Sequence, residues 1–237
     1  MKKIIVIGGT SGMGRSIAAL YAAGQNQVSV TGRRMELLDE LQTQFPAIQT
    51  ACFDIMGDNV IQQLQLLIEK SGGADLIIIS AGGGKPSEDL DWKLDEWTVQ
   101  LNVNAFVKIA NWAFHFFNQQ GHGQLACISS IAANRGNAAA PAYSAAKAFQ
   151  STYMEGLSIK ATKLNKPIYF TCIEPGFVNT KMAKSKKLFW VVPVEKAARQ
   201  IINAIEHKKR KVYISKRWRL IAWLAKNLPY VVYKRLG

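Results

Sequence analysis

Residues 4–14 read Ile4-Ile5-Val6-Ile7-Gly8-Gly9-Thr10-Ser11-Gly12-Met13-Gly14, and this stretch decides the fold. Its four β-branched residues predict a strand that is buried on both faces. Its glycines predict a tight turn, after which a helix opens at Arg15. Backbone N–H groups and a helix N-terminus can then approach a pyrophosphate closely, because no side chains stand in the way. The alternative is a tight turn that binds nothing, since the spacing Gly8-x-x-x-Gly12-x-Gly14 is neither the commonest dinucleotide pattern nor a P-loop.

Short apolar runs alternate with longer helical patterns over the first 180 residues. The predicted strands are 4–7, 28–31, 51–53, 76–80, 125–129 and 168–173. The predicted helices are 14–23, 34–44, 59–70, 97–118 and 143–164. This alternation indicates a doubly wound α/β fold, a parallel sheet covered by helices on both faces. We predict one domain over residues 1–205, including a lid at 181–193, and a basic C-terminal extension over 206–237.

Charge is distributed unevenly along the 237 residues, whose formal net charge is +14. Residues 1–180 carry 14 basic and 14 acidic side chains, whereas residues 181–237 carry 16 basic side chains and two acids, Glu195 and Glu206. A balanced body with a basic end argues against a nucleic-acid-binding domain. It favours a localised patch for an anionic partner such as a membrane surface.

Cysteine usage and hydropathy exclude several classes of protein. The three cysteines are scattered and lack C-x-x-C spacing, so we predict neither a disulfide framework nor a metal site, and a cytoplasmic setting. The opening apolar run is too short for a signal peptide. No stretch reaches the roughly 18 apolar residues of a spanning helix, because the nearest candidate, 218–233, is interrupted by Lys226, Asn227 and Pro229.

Two arginines and no acid follow the second predicted strand, in Val30-Thr31-Gly32-Arg33-Arg34. An acid at this point binds a ribose 2′-hydroxyl, whereas arginine binds a 2′-phosphate. The sequence therefore favours NADP(H) over NAD(H), mainly through Arg33. The alternative is that both arginines are solvated charges at a helix start.

Tyr143 and Lys147 are four residues apart, which places a phenol and an ammonium on one helical face. A nearby cation favours the ionised form of tyrosine, as an acid–base catalyst requires. The pattern Y-x-x-x-K alone is frequent by chance and is most often an exposed pair. Here it begins thirteen residues after Ser130, which closes an apolar strand.

With these motifs the chain resembles the short-chain dehydrogenase/reductase family over about residues 1–205. The resemblance implies a Rossmann-like fold and an oxidoreductase that interconverts a carbonyl and a secondary alcohol, usually as a homodimer or homotetramer. The motifs that match, in order, are Gly8/Gly12/Gly14, Asp54, Ala81-Gly82, Asn102, Ser130, Tyr143 with Lys147, and Pro175-Gly176-Phe177-Val178-Asn179-Thr180.

The resemblance also implies a role for each matching residue. Tyr143 would exchange a proton with the substrate oxygen while hydride passes to or from the nicotinamide, and Ser130 would hydrogen-bond that oxygen. Lys147 would hold the nicotinamide ribose, and Asn102 would sit at a helix irregularity and hold a water that links Lys147 to solvent. The implied cofactor contacts are Gly8, Ser11, Gly12, Met13, Gly14, Arg33, Asp54, Ala81, Gly82, Tyr143, Lys147, Pro175, Gly176, Val178 and Thr180.

Some positions depart from the family pattern. Ile7 replaces a threonine before the glycine turn, and Ile79-Ser80 replaces two asparagines. Asn104 competes with Asn102 for the same role. Ser11 stands where many NADP-preferring members carry a basic residue. The second hypothesis is a nucleotide-sensing or scaffold protein at the membrane surface that binds the cofactor without turnover. The set of Ser130, Tyr143 and Lys147 counts against it.

The last segment is both basic and apolar. Ten cations and no acid lie from Lys208 to Arg235. Trp218, Ile221, Ala222 and Ala225 form one helical stripe, which Leu220, Trp223 and Leu224 widen. One interpretation is an interfacial helix on anionic lipid. The other is a helix packed over the substrate pocket or across an oligomer interface. The basic and bulky apolar residues of the lid suit an apolar, lipid-like substrate. The alternative is that Leu188, Phe189 and Trp190 anchor the lid to the domain core.

Overall fold

A computed structural model describes residues 1–180 and 189–235. Its single sheet is parallel and has the strand order β3-β2-β1-β4-β5-β6-β7. The strands are β1 Lys3–Ile7, β2 Gln27–Gly32, β3 Ile48–Cys52, β4 Leu76–Ile79, β5 Gly123–Ile128, β6 Ile168–Pro175 and β7 Lys211–Ile214. The predicted doubly wound, Rossmann-like α/β fold is confirmed.

Helices cover both faces of this sheet. They are α1 Gly12–Ala23, α2 Met35–Gln44, α3 Val60–Lys70, α4 Trp92–Val99, α5 Phe106–Gln120, α6 Pro141–Thr162, α7 Val194–Glu206, α8 Arg217–Asn227 and α9 Tyr230–Tyr233. Side chains of α3, α5 and α6 form one apolar core with the sheet, and those of α1, α2 and α7 form a second core on the opposite face.

Strand β1 lies in the middle of the sheet, as its sequence predicts. Ile5 and Ile7 enter the first core, whereas Ile4 and Val6 enter the second, and all four are at most 1% exposed. From β1 the chain runs outward to β2 and β3 and then crosses back to β4. In such sheets the carboxyl ends of the strands on either side of the reversal border a crevice that binds ligands.

Three features differ from the sequence prediction, and the smallest is that β3 begins at Ile48 rather than at residue 51. The helix predicted at 97–118 is three elements, because a π-helical turn, Gln100–Ala105, separates α4 from α5. Strand β7 was not predicted, because its four residues begin a stretch that is dominated by cations. It lies at the sheet edge within the predicted extension and pairs with β6 from Cys172 to Pro175.

The C-terminal segment folds back onto the domain. Trp218 and Ala222 of α8 are buried, and Arg135 donates to the carbonyls of Ala225 and Leu228 at 2.7 Å each. The Tyr233 hydroxyl donates to Gly136 O at 2.7 Å. No helix in the described ranges is long and apolar enough to cross a membrane. Residues 181–188 of the predicted lid lie outside the described residues.

Candidate active site

The glycine turn connects β1 to α1 at the crevice. Gly8 and Gly12 have φ angles of +85° and +57°, which favour glycine. A Cβ on Gly8 would lie 2.5 Å from Ala81 N, and one on Gly14 would lie 2.5 Å from Gly8 O. The backbone is therefore packed too closely for a side chain at Gly8 or Gly14. This is the kind of cradle that a pyrophosphate requires.

Arg34 contacts the glycine turn, whereas the sequence analysis favoured Arg33 as the residue that binds the 2′-phosphate. Arg34 donates to the hydroxyls of Thr10 and Ser11 at 2.6 and 3.0 Å. Arg33 lies 3.8 Å from an Asp54 carboxylate oxygen, and both side chains are about half exposed. Arg34 and Thr10 are thus additional polar groups at this end, and the donor set fits an anionic dinucleotide.

Lys147 is buried beside the end of β5. Its ammonium donates to Ile128 O at 3.1 Å and to Gln150 Oε1 at 2.9 Å, and it lies 5.7 Å from the centre of the Tyr143 ring. The Ser129 hydroxyl donates to Lys147 O at 2.9 Å. These bonds attach α6 to β5 and hold the phenol and ammonium next to each other.

Ser130 follows Ser129 at the carboxyl end of β5. Its extended backbone directs the chain into a 3₁₀ turn, Ile131–Asn134, and its hydroxyl accepts from Ala132 N at 3.1 Å. The hydroxyl proton remains available to a second partner, because a serine both donates and accepts. The side chain is half-buried, so part of it is accessible to a substrate.

Asn102 occupies the π-helical turn and is fully buried. Its amide donates to Gly83 O at 2.6 Å and to Thr98 O at 2.8 Å, and its Oδ1 accepts from Gly83 N at 3.2 Å. Asn104 is exposed and donates to Gln100. The structure therefore brings Asn102 to the site and leaves Asn104 outside it.

Gln150 is a site residue that the sequence analysis missed. It is 1% exposed, accepts from Lys147 and donates to Asn102 O at 2.9 Å. Its amide thus joins the two residues between which the family resemblance places a water. The available signal was its helical spacing, since Gln150 lies seven residues after Tyr143 on the face that also carries Lys147.

The loop after β4 packs tightly onto these side chains. A Cβ on Gly82 would lie 3.0 Å from both Asn102 Oδ1 and Lys147 Nζ. One on Gly84 would overlap the Tyr143 ring. Glycines at these positions therefore let the loop approach the catalytic candidates, and Ala81 lies against Gly8 in the same way.

The segment after β6 passes over the glycine turn. Val178 is buried and pairs with Val192, and a Cβ on Gly12 would lie 3.4 Å from Thr180 Cγ2. Gly176 donates to Ile214 O at 2.6 Å and is covered by the Trp218 indole, which leaves no room for a side chain there. Pro175 ends β6, and Thr180 is the member of this motif that lies beside the turn.

A buried carboxylate lies behind the site. Glu174 is 0% exposed, lies 2.5 Å from Lys211 Nζ and accepts from Asn134 and Ser151. Burial alone would lower the pKa of Lys211, but the hydrogen bond and charge of Glu174 outweigh it and raise that pKa. Burial, followed by the Glu174 charge, raises the pKa of Tyr213. This cluster ties β6 to β7 and to the turn after Ser130.

Burial also raises the pKa values of two of the three cysteine thiols. It raises the pKa of Cys172 to about 11, and raises the pKa of Cys127 still further. Cys52 is exposed at the end of β3.

Comparison with known proteins agrees with this geometry. The sequence profile of the short chain dehydrogenase family matches residues 2–189. This chain belongs to that family. It is therefore an oxidoreductase that acts on CH–OH groups with NAD(P), and the oxidoreductase expectation is confirmed.

Other short-chain dehydrogenases share sequence and fold with it. An uncharacterised oxidoreductase of Mycobacterium tuberculosis is 30% identical over 218 residues, which cover 87% of this chain and 85% of the relative. One from Myxococcus xanthus is 31% identical over 185 residues, 75% of this chain and 72% of the relative. A Burkholderia cenocepacia short chain dehydrogenase, solved in complex with NADP, superposes with a TM-score of 0.83 at 18% identity over 99% of this chain and 97% of its own.

A cavity of about 710 Å³ lies beside these catalytic candidates rather than among them. It is bordered by the loop 133–138, by the outer face of α6 at Ser144, Ala145 and Ala148, and by Tyr230, Tyr233 and Lys234 of the C-terminal segment.

Proposed function

We propose that this protein is an NADP(H)-dependent enzyme that interconverts an apolar ketone or aldehyde and the corresponding alcohol, with Tyr143 as acid and base. One observation carries the proposal. The Lys147 ammonium is held by Ile128 and Gln150 beside the Tyr143 ring, at the carboxyl end of the strand that Ser130 closes.

The side chains divide the chemistry between them. Tyr143 gives its hydroxyl proton to the oxygen of a carbonyl during reduction, or takes a proton from an alcohol during oxidation. Ser130 donates a hydrogen bond to the same oxygen. Lys147 favours the anion that Tyr143 becomes once it has given up its proton. A nicotinamide cofactor held in this crevice would supply or accept the hydride at the substrate carbon.

The preference for NADP(H) rests on charge. Arg33 and Arg34 stand at the edge of the glycine turn, where a 2′-phosphate would gain two cations and the Thr10 and Ser11 hydroxyls. Asp54 is the one acid in contact with this pair among the described residues, and it lies at 3.8 Å from Arg33. Similar folds from Burkholderia cenocepacia and Sphingobium yanoikuyae were solved with NADP and NADPH, which supports NADP(H) as a cofactor of such a fold.

An apolar substrate fits the aromatic side chains beside the site. Phe177, Phe189 and Trp190 surround Trp218, with ring centres 5.2–6.2 Å from it.

We place the enzyme in the cytoplasm, with its C-terminal segment at the inner face of the membrane, and propose a homodimer or homotetramer. Phe149 and Ile159 on α6 support self-association, because they are 39% and 57% exposed.

A cofactor-binding sensor without turnover is the second candidate. It is favoured only by the cavity of about 710 Å³, whose lining does not include Tyr143, whereas the full set of Ser130, Tyr143 and Lys147 favours an enzyme. The test is a panel of apolar ketones and secondary alcohols assayed with NADPH, NADP, NADH and NAD. Turnover with the phosphorylated cofactors supports the proposal. Tight binding with no turnover on any substrate would support the sensor.

The cofactor preference has its own test. Replacing Arg33 and Arg34 together by alanine should weaken NADPH binding by tenfold or more and leave NADH binding almost unchanged, because each arginine–phosphate contact is charge-assisted. Replacing Lys93 and Lys108 by alanine is the matched control. Equal losses for both cofactors would contradict the assignment.

A further inference from the structure

The described residues 189–235 carry an unusual share of exposed apolar surface. Of the seventeen exposed large apolar side chains among the described residues, nine lie between Phe189 and Val232. They comprise a first group, Phe189, Trp190 and Val191, a second on α8, Leu220, Trp223 and Leu224, and a third on α9, Tyr230, Val231 and Val232. We call the second and third groups together the apolar docking face.

Helix α8 has two distinct apolar sides. Trp218 and Ala222 are 2% and 1% exposed and pack onto the domain, whereas Trp223 is 60% and Leu220 57% exposed. At about 100° per residue, Leu220, Trp223 and Leu224 fall within about 100° of one another, on the side away from Trp218. Packing onto the domain therefore uses one side of α8, and contact with lipid would use the opposite side.

Cations border the docking face on both edges. Arg219 and Lys226 lie on one side of the exposed stripe of α8, and Arg217 lies on the other. Lys234 and Arg235 follow α9 and are exposed. The sequence from His207 to Arg235 contains no acid, so nothing within this segment neutralises these charges.

We infer that the apolar docking face binds the surface of an anionic lipid bilayer. Tryptophan and tyrosine prefer the headgroup region, leucine and valine enter the acyl boundary, and arginine and lysine at the edges pair with lipid phosphates. A protein partner would need acids opposite five cations, whereas an anionic bilayer presents negative charge on every side of the apolar stripe. This complementarity selects the bilayer as the occupant.

The buried side of α8 gives the docking a consequence for the proposed function, on which this step rests. Trp218 covers Gly176 and contacts Phe177, in the segment that passes over the glycine turn. Docking would therefore hold this edge of the active site about one helix diameter, roughly 10 Å, from the membrane surface, where an apolar substrate is concentrated.

Co-sedimentation with vesicles tests the inference on the full-length chain. Phosphatidylcholine vesicles with and without phosphatidylglycerol are compared at low and high salt. The wild type should bind the anionic vesicles at least tenfold more tightly than the neutral ones, and high salt should reduce this difference. Equal binding to both, or tighter binding to a DNA duplex at matched salt, would overturn the inference.

Two double variants separate the apolar contribution from the charge. Trp223→Ala with Leu224→Ala should weaken vesicle binding at every salt concentration. Arg219→Gln with Lys226→Gln should weaken it about 30-fold at low salt only, because each near-surface cation contributes about fivefold. Leu66→Ala with Lys70→Gln on α3 is the control, since it removes one exposed apolar side chain and one cation elsewhere.

Two further measurements distinguish other occupants and other failures. Light scattering reports the molecular mass of each variant. If the Trp223/Leu224 variant changes mass and keeps its vesicle binding, the face is a contact between subunits and the inference is wrong. NADPH affinity should stay unchanged in all three variants. Loss of cofactor binding in the wild type would instead contradict the proposed function and leave the vesicle result unaffected.

Discussion

Trp218 and Trp223 make a matched pair, because they are the same residue type on one helix with opposite environments. The Trp218 indole is 2% exposed, with Phe177, Phe189 and Trp190 around it, whereas Trp223 is 60% exposed. Each is replaced by alanine. If α8 is docked on the domain, the two substitutions should differ greatly in the free energy of unfolding.

The expected size follows from the buried area. A buried indole removes roughly 200 Å² from water, which at about 25 cal/mol per Å² stabilises the fold by about 5 kcal/mol. Trp218 Nε1 has no hydrogen-bond partner among the described residues, and this offsets about 1–2 kcal/mol. Trp218→Ala should therefore cost about 3–4 kcal/mol. Trp223→Ala should stay within about 0.5 kcal/mol of wild type.

Urea unfolding followed by far-ultraviolet circular dichroism measures both values, because this signal does not depend on the tryptophans removed. Limited trypsin digestion gives a second readout, since detachment of α8 exposes the chain around Arg217 and Arg219 to cleavage. Trp218→Ala should be cut there faster than Trp223→Ala. Equal unfolding energies together with equal cleavage rates would refute the docked position of α8.

Three further outcomes are expected. Iodoacetamide at neutral pH should add one label per folded chain, at Cys52, because the raised pKa of the two buried thiols keeps them protonated; intact-mass spectrometry showing two or three labels would contradict this. Gly84→Ala should lower kcat at least tenfold while the thermal midpoint changes little, because the new Cβ displaces the Tyr143 ring; a variant with the wild-type rate would show that the ring is not held there. Gln150→Leu should lower kcat about tenfold and shift its pH profile, because Lys147 loses one of its two acceptors, whereas Gln150→Glu should retain more activity; an unchanged profile in both variants would make Gln150 a packing residue only.

The sequence predicted the centre of the sheet better than its edge. β1 was recognisable because four consecutive apolar residues precede a glycine turn, a combination that few other structures tolerate. β7 was missed because Lys211-Val212-Tyr213-Ile214 is short and surrounded by cations, and because an edge strand needs a partner on one side only. What identifies it is its pairing with β6, which is a tertiary contact.

Side-chain partners were the hardest features to predict. The spacing of Tyr143 and Lys147 follows from helical periodicity, and the structure places them together. Nothing in the local sequence says that Arg34 rather than Arg33 reaches the Thr10 and Ser11 hydroxyls, because that depends on how α2 leaves β2. The bridge made by Gln150 likewise requires the π-helical turn that presents Asn102 O.

The C-terminal helix shows why composition alone left two interpretations open. Its tryptophans and leucines cover a wider arc of the helix surface than packing against the domain alone can bury. The structure assigns Trp218 to the domain and leaves Trp223 exposed, so a single amphipathicity argument was bound to mix two surfaces.

The central claim is that Tyr143 transfers the proton in an enzymatic oxidation or reduction. The most direct measurement is Tyr143→Phe, compared with wild type for turnover of an identified substrate and for NADPH affinity. The account predicts that kcat falls by at least about a hundredfold, the usual contribution of a general acid or base, while NADPH affinity changes little. A variant that keeps the wild-type rate would contradict the mechanism.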